Sequence, residues 1–146
     1  NPLDLSAVTT PNGYPIGPWA ANNSGSRWID PQNVEAVGPV GTYIYETTFT
    51  LSQNANLSTA LITGPGSLDD TMTDVVINAN SLGSLGLVWA HLRSFTIDSG
   101  FVTGFNTLEF VVYNSGGPTG LRIDKIAGSY ETVREPTVLA LIGQGL

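Results

Sequence analysis

The chain has 146 residues, enough for one domain that buries a core without disulfides or metals. Only 12% of the residues are charged, which is about half the usual share in globular proteins. The net charge of −7 disfavours nucleic-acid partners, because a phosphate backbone would be repelled. There is no cysteine, and no run of apolar residues reaches the roughly 20 that a membrane-spanning helix needs. This composition suits exported, sugar-facing or self-associating proteins better than cytosolic enzymes.

In chain order, the first half predicts strands separated by turn-rich loops. Residues 3–9 predict a weak opening strand, and the prolines and glycines of residues 11–18 predict a long loop. Residues 43–51 alternate between aromatic or aliphatic and polar side chains, which is typical of a half-buried strand. Residues 57–63 and 74–78 predict two more strands.

The second half predicts further strands and one short helical turn. The strands cover residues 93–97, 105–113, 121–124 and 128–133, and the helical turn falls within residues 82–92. In the first of these strands, Phe95 and Ile97 are expected to face inward. In the third, Leu121 and Ile123 are expected to face inward, and Arg122 and Asp124 outward. About eight short strands with Gly, Pro and Asn turns predict an all-β fold, a two-sheet antiparallel β-sandwich or jelly roll.

Five segments follow one another in a distinctive order. They are residues 19–29 (WAANNSGSRWI), 41–51 (GTYIYETTFTL), 69–78 (DDTMTDVVIN), 104–110 (GFNTLEF) and 117–122 (GPTGLR). Their order and spacing resemble the galactose-binding-like β-sandwich found in many exported bacterial PEP-CTERM proteins. The resemblance covers roughly residues 15–130. It implies a secreted or cell-surface protein of a bacterium.

The end of the chain carries a second resemblance. Residues 134–143 (REPTVLALIG) are similar to the Pro-Glu-Pro sorting signal and the start of its apolar helix. The predicted organisation is therefore a β-sandwich domain over residues 1–133 and an apolar tail, resembling a truncated sorting segment, over residues 134–146. In the family, a strand often ends in Asn-Gly where this chain has Asn78 followed by Ala79. Ala disfavours the positive φ of a tight turn at this point.

One candidate site lies in the loop that follows Pro18. Aromatic faces stack on sugar rings, while amide and guanidinium groups bind their hydroxyls. The candidate carbohydrate-binding residues are Trp19, Asn22, Asn23 and Arg27. The alternative is that Trp28 is a core anchor under the first long strand with Arg27 as its salt-bridged neighbour. Trp89 lies in a Gly- and Leu-rich run and is expected to be buried.

Acidic residues supply a second candidate site. Asp69, Asp70 and Asp74 offer the hard oxygen ligands that a structural calcium ion takes. The alternative is that Asp69 and Asp70 cap a turn, helped by the Gly and Pro residues at 64–66. No other cofactor is expected. His91 is the only histidine and no Gly-x-Ser-x-Gly motif occurs, so we predict that the protein is not an enzyme.

Both ends of the chain are apolar, which suggests self-assembly by donation of a terminal strand to a neighbouring sheet. The candidate assembly residues are Leu3, Leu5, Val138, Leu139, Leu141 and Ile142. The leading prediction is a non-catalytic structural protein of the cell surface or extracellular matrix that associates with itself and can form filaments. The alternative is a carbohydrate-binding module for an extracellular polysaccharide. Neither function involves nucleic acid or a membrane span in this chain.

Overall fold

A computed structural model describes residues 7–10, 14–31 and 37–134. Within these ranges the chain forms ten β-strands and no helix. The strands are β1 (Val8–Thr9), β2 (Ile29–Asp30), β3 (Gly41–Leu51), β4 (Ala55–Asp69), β5 (Thr71–Ile77), β6 (Asn80–Ser81), β7 (Arg93–Ile97), β8 (Gly104–Asn114), β9 (Gly120–Ile123) and β10 (Ala127–Thr132). No helix in this described part is long and apolar enough to cross a membrane. The predicted all-β class is confirmed.

The strands form two antiparallel sheets. The larger sheet has the order β1-β2-β9-β4-β10, and β7 also pairs with β4. Gly66 of β4 pairs with both β7 and β9, and Ile62 pairs with both β7 and β10, so β7 occupies one edge of β4 while β9 and β10 follow one another along the other. The smaller sheet has the order β3-β8-β5-β6.

The hydrophobic core lies between the two sheets, as expected of a β-sandwich. The alternation predicted for residues 43–51 is confirmed, with Tyr45 and Leu51 of β3 buried. The inward orientation predicted for Phe95 and Ile97 in β7 is also confirmed. Other buried members are Ala60, Ile62, Leu68, Met72, Val75, Ile77, Leu108, Phe110, Val112 and Leu121.

Strand β4 is longer than the sequence predicts and continues through residues 64–66. These residues do not form the expected turn. A Cβ added to Gly66 would lie 2.8 Å from a methyl of Leu87 and 2.9 Å from a methyl of Ile123, so both side chains pack closely over this glycine. The carbonyl of Pro65 accepts a hydrogen bond from the amide of Asp124. The chain then passes from the larger to the smaller sheet across one residue, Asp70.

Two connections differ from their predictions. Asn78 and Ala79 have φ angles of 50° and 65° and form a two-residue turn between β5 and β6, although Ala disfavours this conformation. Residues 82–92 contain no helical turn and run as an irregular connection to β7. The amide of Leu82 donates to the carbonyl of Val75, which holds this connection to the edge of β5.

Arg122 and Asp124, which are predicted to face outward, are not exposed to solvent. Arg122 is 1% exposed and Asp124 is 5% exposed. The loop before β2 covers the side of β9 that carries Arg122, and Ser26, Ala20 and Ala21 of this loop accept hydrogen bonds from the guanidinium. Strand β2 itself lies beside β9 in the sheet. Strand periodicity separates the two faces but does not reveal that an irregular segment covers one of them.

Candidate functional site

Trp19 and Trp28 form a small interior cluster of their own. Their rings stack with centroids 4.2 Å apart and an interplanar angle of 28°. The Trp19 indole Nε1 donates to Oδ2 of Asp69 at 2.7 Å, and the Trp28 Nε1 donates to the carbonyl of Ala20 at 2.7 Å. Trp19 is only 7% exposed, so its ring cannot offer an open face to a sugar. The interior position expected for Trp28 holds, but its stacking partner is Trp19 and it lies against Gly120 at the start of β9.

The other three candidate carbohydrate-binding residues lie in the loop between these tryptophans. Asn22 is half-buried, and its side-chain oxygen accepts the amide of Trp28 at 3.0 Å. The side-chain oxygen of Asn23 accepts the amides of Gly25 and Ser26, which fixes the turn. Both asparagine oxygens therefore hold the loop together. Arg27 and Asn23 are exposed.

Arg122 anchors this loop through hydrogen bonds from its guanidinium group. Its Nε donates to the hydroxyl of Ser26 at 2.8 Å, and its Nη1 donates to the carbonyls of Ala20 and Ala21. Burial lowers the pKa of Arg122, while the charge of Asp124 acts in the opposite direction. A guanidinium with several donors in a fixed plane suits this role, because it can satisfy several loop oxygens at once.

Two of the three candidate calcium ligands, Asp69 and Asp70, contact each other, and the third, Asp74, has other partners. Burial and a hydrogen bond with Asp70 raise the pKa of Asp69 to about 6. Partial burial acts to raise the pKa of Asp70, but hydrogen bonds from Ser115 and Asp69 outweigh it and lower that pKa. Asp74 accepts the amide of Gly83 at 2.8 Å in the β6 hairpin region. No cluster of three His, Cys, Asp or Glu side chains suited to a metal ion occurs among residues 7–10, 14–31 and 37–134.

Asp69 and Asp70 do not cap a local turn. Asp69 ends β4 and bonds to Trp19, 50 residues earlier in the chain. Asp70 receives both the amide and the hydroxyl of Ser115, at 2.7 and 2.6 Å, and so ties the sheet crossing to the loop after β8. The pair therefore joins three distant segments at one end of the sandwich.

Trp89 is exposed, which corrects the expectation that it is buried. Its side chain is 41% exposed, and its carbonyl accepts a hydrogen bond from the amide of Ala20 at 2.7 Å. This bond places the irregular connection before β7 beside the loop that contains Asn23 and Arg27. His91 is also exposed, in the same connection.

A groove opens between the two sheets where β3 and β10 form their edges. We call it the edge groove, with a cavity volume of about 340 Å³. Its walls are residues 47–51 of β3, residues 60–62 of β4 and residues 126–130, and Phe101 and Leu108 also line it. In size it falls at the lower end of the range of about 300–1,000 Å³ that ligand pockets occupy.

The edge groove exists because the two edge strands do not meet. Thr47 lies on the same side of β3 as the buried Tyr45 and pairs with the buried Leu108, yet it is exposed. Phe49, the next residue on this side, is half-buried and packs edge-on against Phe101, with ring centroids 6.2 Å apart. All six residues of β10 are exposed. Core-facing apolar surface is thus accessible along this edge.

Sequence reasoning did not identify the edge groove, because Thr47 and Phe49 follow the ordinary alternation of a strand. The exposed Thr at an inward position is the signal that the opposite sheet fails to cover it.

All of the candidate assembly residues lie outside the described residues: Leu3, Leu5, Val138, Leu139, Leu141 and Ile142.

Comparisons with protein-family models, with curated proteins and with solved structures gave no match.

Proposed function

We propose that this protein is a non-catalytic structural component of the cell surface or extracellular matrix, and that it associates with copies of itself along the edge formed by β3 and β10. The observation that carries the proposal is the edge groove. A soluble β-sandwich normally covers the core surface along its edges, and an edge that leaves it accessible is a site for another chain.

The edge strands have the properties that favour association. Among the described strands, β3 pairs only with β8 and β10 only with β4, so each has one side available for backbone pairing. Strand β3 is 11 residues long and contains one charged side chain, Glu46. Long edge strands that carry little charge are poorly protected against pairing with a second sheet. Only 12% of the residues in the chain are charged, which leaves few side chains that could oppose such a contact at the edge.

The exported setting is part of the same proposal. It is supported by the low charge, by the lack of cysteine and by the resemblance of five segments to the β-sandwich of PEP-CTERM proteins.

Sedimentation velocity over a series of concentrations tests self-association. We expect the wild-type chain to form larger species as its concentration rises. Thr47→Lys, which places a charge in the edge groove, should remain monomeric. Thr42→Lys is the matched control, because Thr42 is an exposed residue at the other end of β3 and on its outer side. A wild-type chain that is monomeric at every concentration, or equal loss of assembly in both variants, would refute the proposal.

A second candidate function is carbohydrate binding centred on Trp89 rather than Trp19. The observation that favours it is an exposed indole whose backbone is bonded to Ala20, at the base of the loop with Asn23 and Arg27. An exposed aromatic ring and exposed amide and guanidinium groups are the kinds of side chain that bind a sugar. A glycan-array screen tests it: binding that is lost in Trp89→Ala, with the fold intact by circular dichroism, supports this site, and binding unchanged in that variant excludes it.

A further inference from the structure

We propose that β3 pairs with β3 of a second copy, antiparallel and about a two-fold axis at Thr47, so that the smaller sheets of both copies join into one. This inference rests on the proposed self-association and names the strand and the register that make the contact. The paired segment is residues 43–51 of each copy, all within β3.

Strand β3 has the longest and most regular free edge among the described strands. It pairs with β8 over all 11 residues without a register shift, so its other side offers an uninterrupted row of backbone donors and acceptors. The edge strand β10 has six residues, and its register shifts between Ser129 and Glu131. Such an irregularity protects an edge, because it twists the strand away from a partner. The other edge strands are shorter still, with two residues in β1, two in β6 and five in β7.

The best-matched partner for this edge is the same strand of another copy. Strand pairing needs a free edge of comparable length, and in the described part of the chain only β3 offers one. Two copies of one strand pair antiparallel about a two-fold axis, which is the commonest symmetry of homo-oligomers. An antiparallel ladder is also slightly more stable per residue than a parallel one. The contact is therefore closed, and the same surface of both copies makes it.

The charged residues of the smaller sheet limit the register. A two-fold axis perpendicular to the sheet places inward residues opposite inward residues, so it must pass through a residue position. Glu46 already lies opposite Glu109 of β8. An axis at Glu46 would therefore align four carboxylates in one row across the joined sheet, which is unfavourable because like charges directly opposite each other repel. An axis at Thr47 instead sets Glu46 opposite Thr48 of the other copy.

The register centred on Thr47 also covers the apolar surface that the edge groove leaves accessible. The whole β3 wall of the groove, residues 47–51, lies inside the paired segment. The half-buried Phe49 comes opposite Tyr45 of the other copy, and aromatic pairs of this kind stabilise a sheet. An axis at Tyr45 would pair residues 41–49 and leave the rest of this wall outside. Because Thr47 is exposed, the larger sheet does not cover the centre of the contact.

Paired charge variants test the contact, because the two-fold axis brings residue 47 of each copy against residue 47 of the other. Full-length Thr47→Lys and Thr47→Glu chains are measured separately and as an equimolar mixture by sedimentation velocity, and circular dichroism checks that each is folded. Like charges meet at the axis in each variant alone and opposite charges meet in the mixture. We expect the mixture to associate at least about fivefold more tightly than either variant alone. The matched control is Thr42→Lys with Thr42→Glu, which should show no such gain, because Thr42 lies outside residues 43–51.

Disulfide formation tests the register independently, because the natural chain has no cysteine. Three single-cysteine chains, Thr47→Cys, Thr42→Cys and Ser129→Cys, are oxidised mildly under conditions in which the wild type associates. Directly opposite Cβ atoms of an antiparallel pair lie about 4.5–5.5 Å apart. The two Thr42→Cys thiols would be about 34 Å apart in this register, at about 3.4 Å per residue. Ser129→Cys reports pairing through β10 instead.

We expect Thr47→Cys to give at least about tenfold more disulfide-linked dimer than Thr42→Cys or Ser129→Cys, because docking raises the effective concentration of the two thiols. If the wild type associates but Thr47→Cys gives no such excess, or the folded Thr47 mixture gives no gain, the β3–β3 contact is wrong while self-association stands. A dominant Ser129→Cys dimer would move the contact to β10 and overturn the inference. The Thr47→Cys result decides where a charged variant does not fold. If the wild type never associates, both proposals fail.

Discussion

The hydrogen bond between Trp19 and Asp69 predicts a stability effect that depends on pH. Trp19→Phe keeps a stacked aromatic ring but removes the Nε1 donor that lies 2.7 Å from Oδ2 of Asp69. A hydrogen bond to a charged group contributes about 1.5–3 kcal/mol, whereas one between neutral groups contributes about 1 kcal/mol. The loss should therefore be about 1–2 kcal/mol greater when Asp69 is ionised than when it is protonated.

The sign follows from the pKa of Asp69. Burial and the contact with Asp70 raise this pKa from 3.8 to about 6, and the hydrogen bond from Trp19 lowers it. A carboxyl group with a raised pKa contributes stability that is fully present below pH 3.8 and is lost as the pH rises through about 6. Removing the Trp19 donor raises the pKa further and steepens that loss. The decrease in the free energy of unfolding that Trp19→Phe causes is expected to be larger at about pH 8 than at about pH 4.5.

Urea unfolding at these two pH values, followed by circular dichroism, measures the effect as the difference in free energy of unfolding between variant and wild type. Trp28→Phe is the matched control, because its Nε1 donates to the neutral carbonyl of Ala20 at the same distance of 2.7 Å. Its cost should be the same at both pH values. The reasoning is refuted if Trp19→Phe has a cost independent of pH, or if Trp28→Phe shows an equal dependence.

Three further predictions concern turns and a buried amide, each read from the urea midpoint. Asn106→Ala should lower the free energy of unfolding by about 3 kcal/mol or more, because this fully buried side chain makes four hydrogen bonds at about 1 kcal/mol each; a loss below about 1 kcal/mol would contradict it. Gly100→Ala should cost about 1–3 kcal/mol more than Gly83→Ala. Both glycines have positive φ, but only at Gly100 would a Cβ overlap a buried side chain, and equal costs would exclude this overlap. Ala79→Gly should stabilise the protein by about 0.5–1 kcal/mol, because Ala79 has a φ of 65°; a loss of stability would show that its methyl group makes a needed contact.

The two proposed functions make different demands on the same molecule. Self-association needs the accessible edge of β3 and β10, whereas sugar binding needs the exposed ring of Trp89 at the loops. Thr47→Lys and Trp89→Ala therefore separate them, since each changes one surface and leaves the other unchanged. Trp19→Ala would not separate them, because Trp19 is interior and its loss would destabilise the loop that carries Asn23 and Arg27.

Local pattern was sufficient for most of the strands and for the fold class. The alternation in residues 43–51 and the inward positions of Phe95 and Ile97 were predicted because a strand places successive side chains on opposite faces, a property of the backbone alone. Local pattern failed at residues 64–66. Gly and Pro there indicate a turn, but residues 64–66 lie inside β4, where Leu87 and Ile123 pack closely over Gly66.

What the sequence by itself determined was the class of the fold, the position of most strands and the side of each strand that carries apolar residues. Only the tertiary structure decided which of those sides is covered, and by what. Arg122 is buried because a distant loop folds over it, Trp19 is buried because it stacks on Trp28, and Thr47 is exposed because β10 does not reach β3. The physical reason is that periodicity depends on neighbouring residues in one strand, whereas covering a surface depends on contacts between segments far apart in the chain.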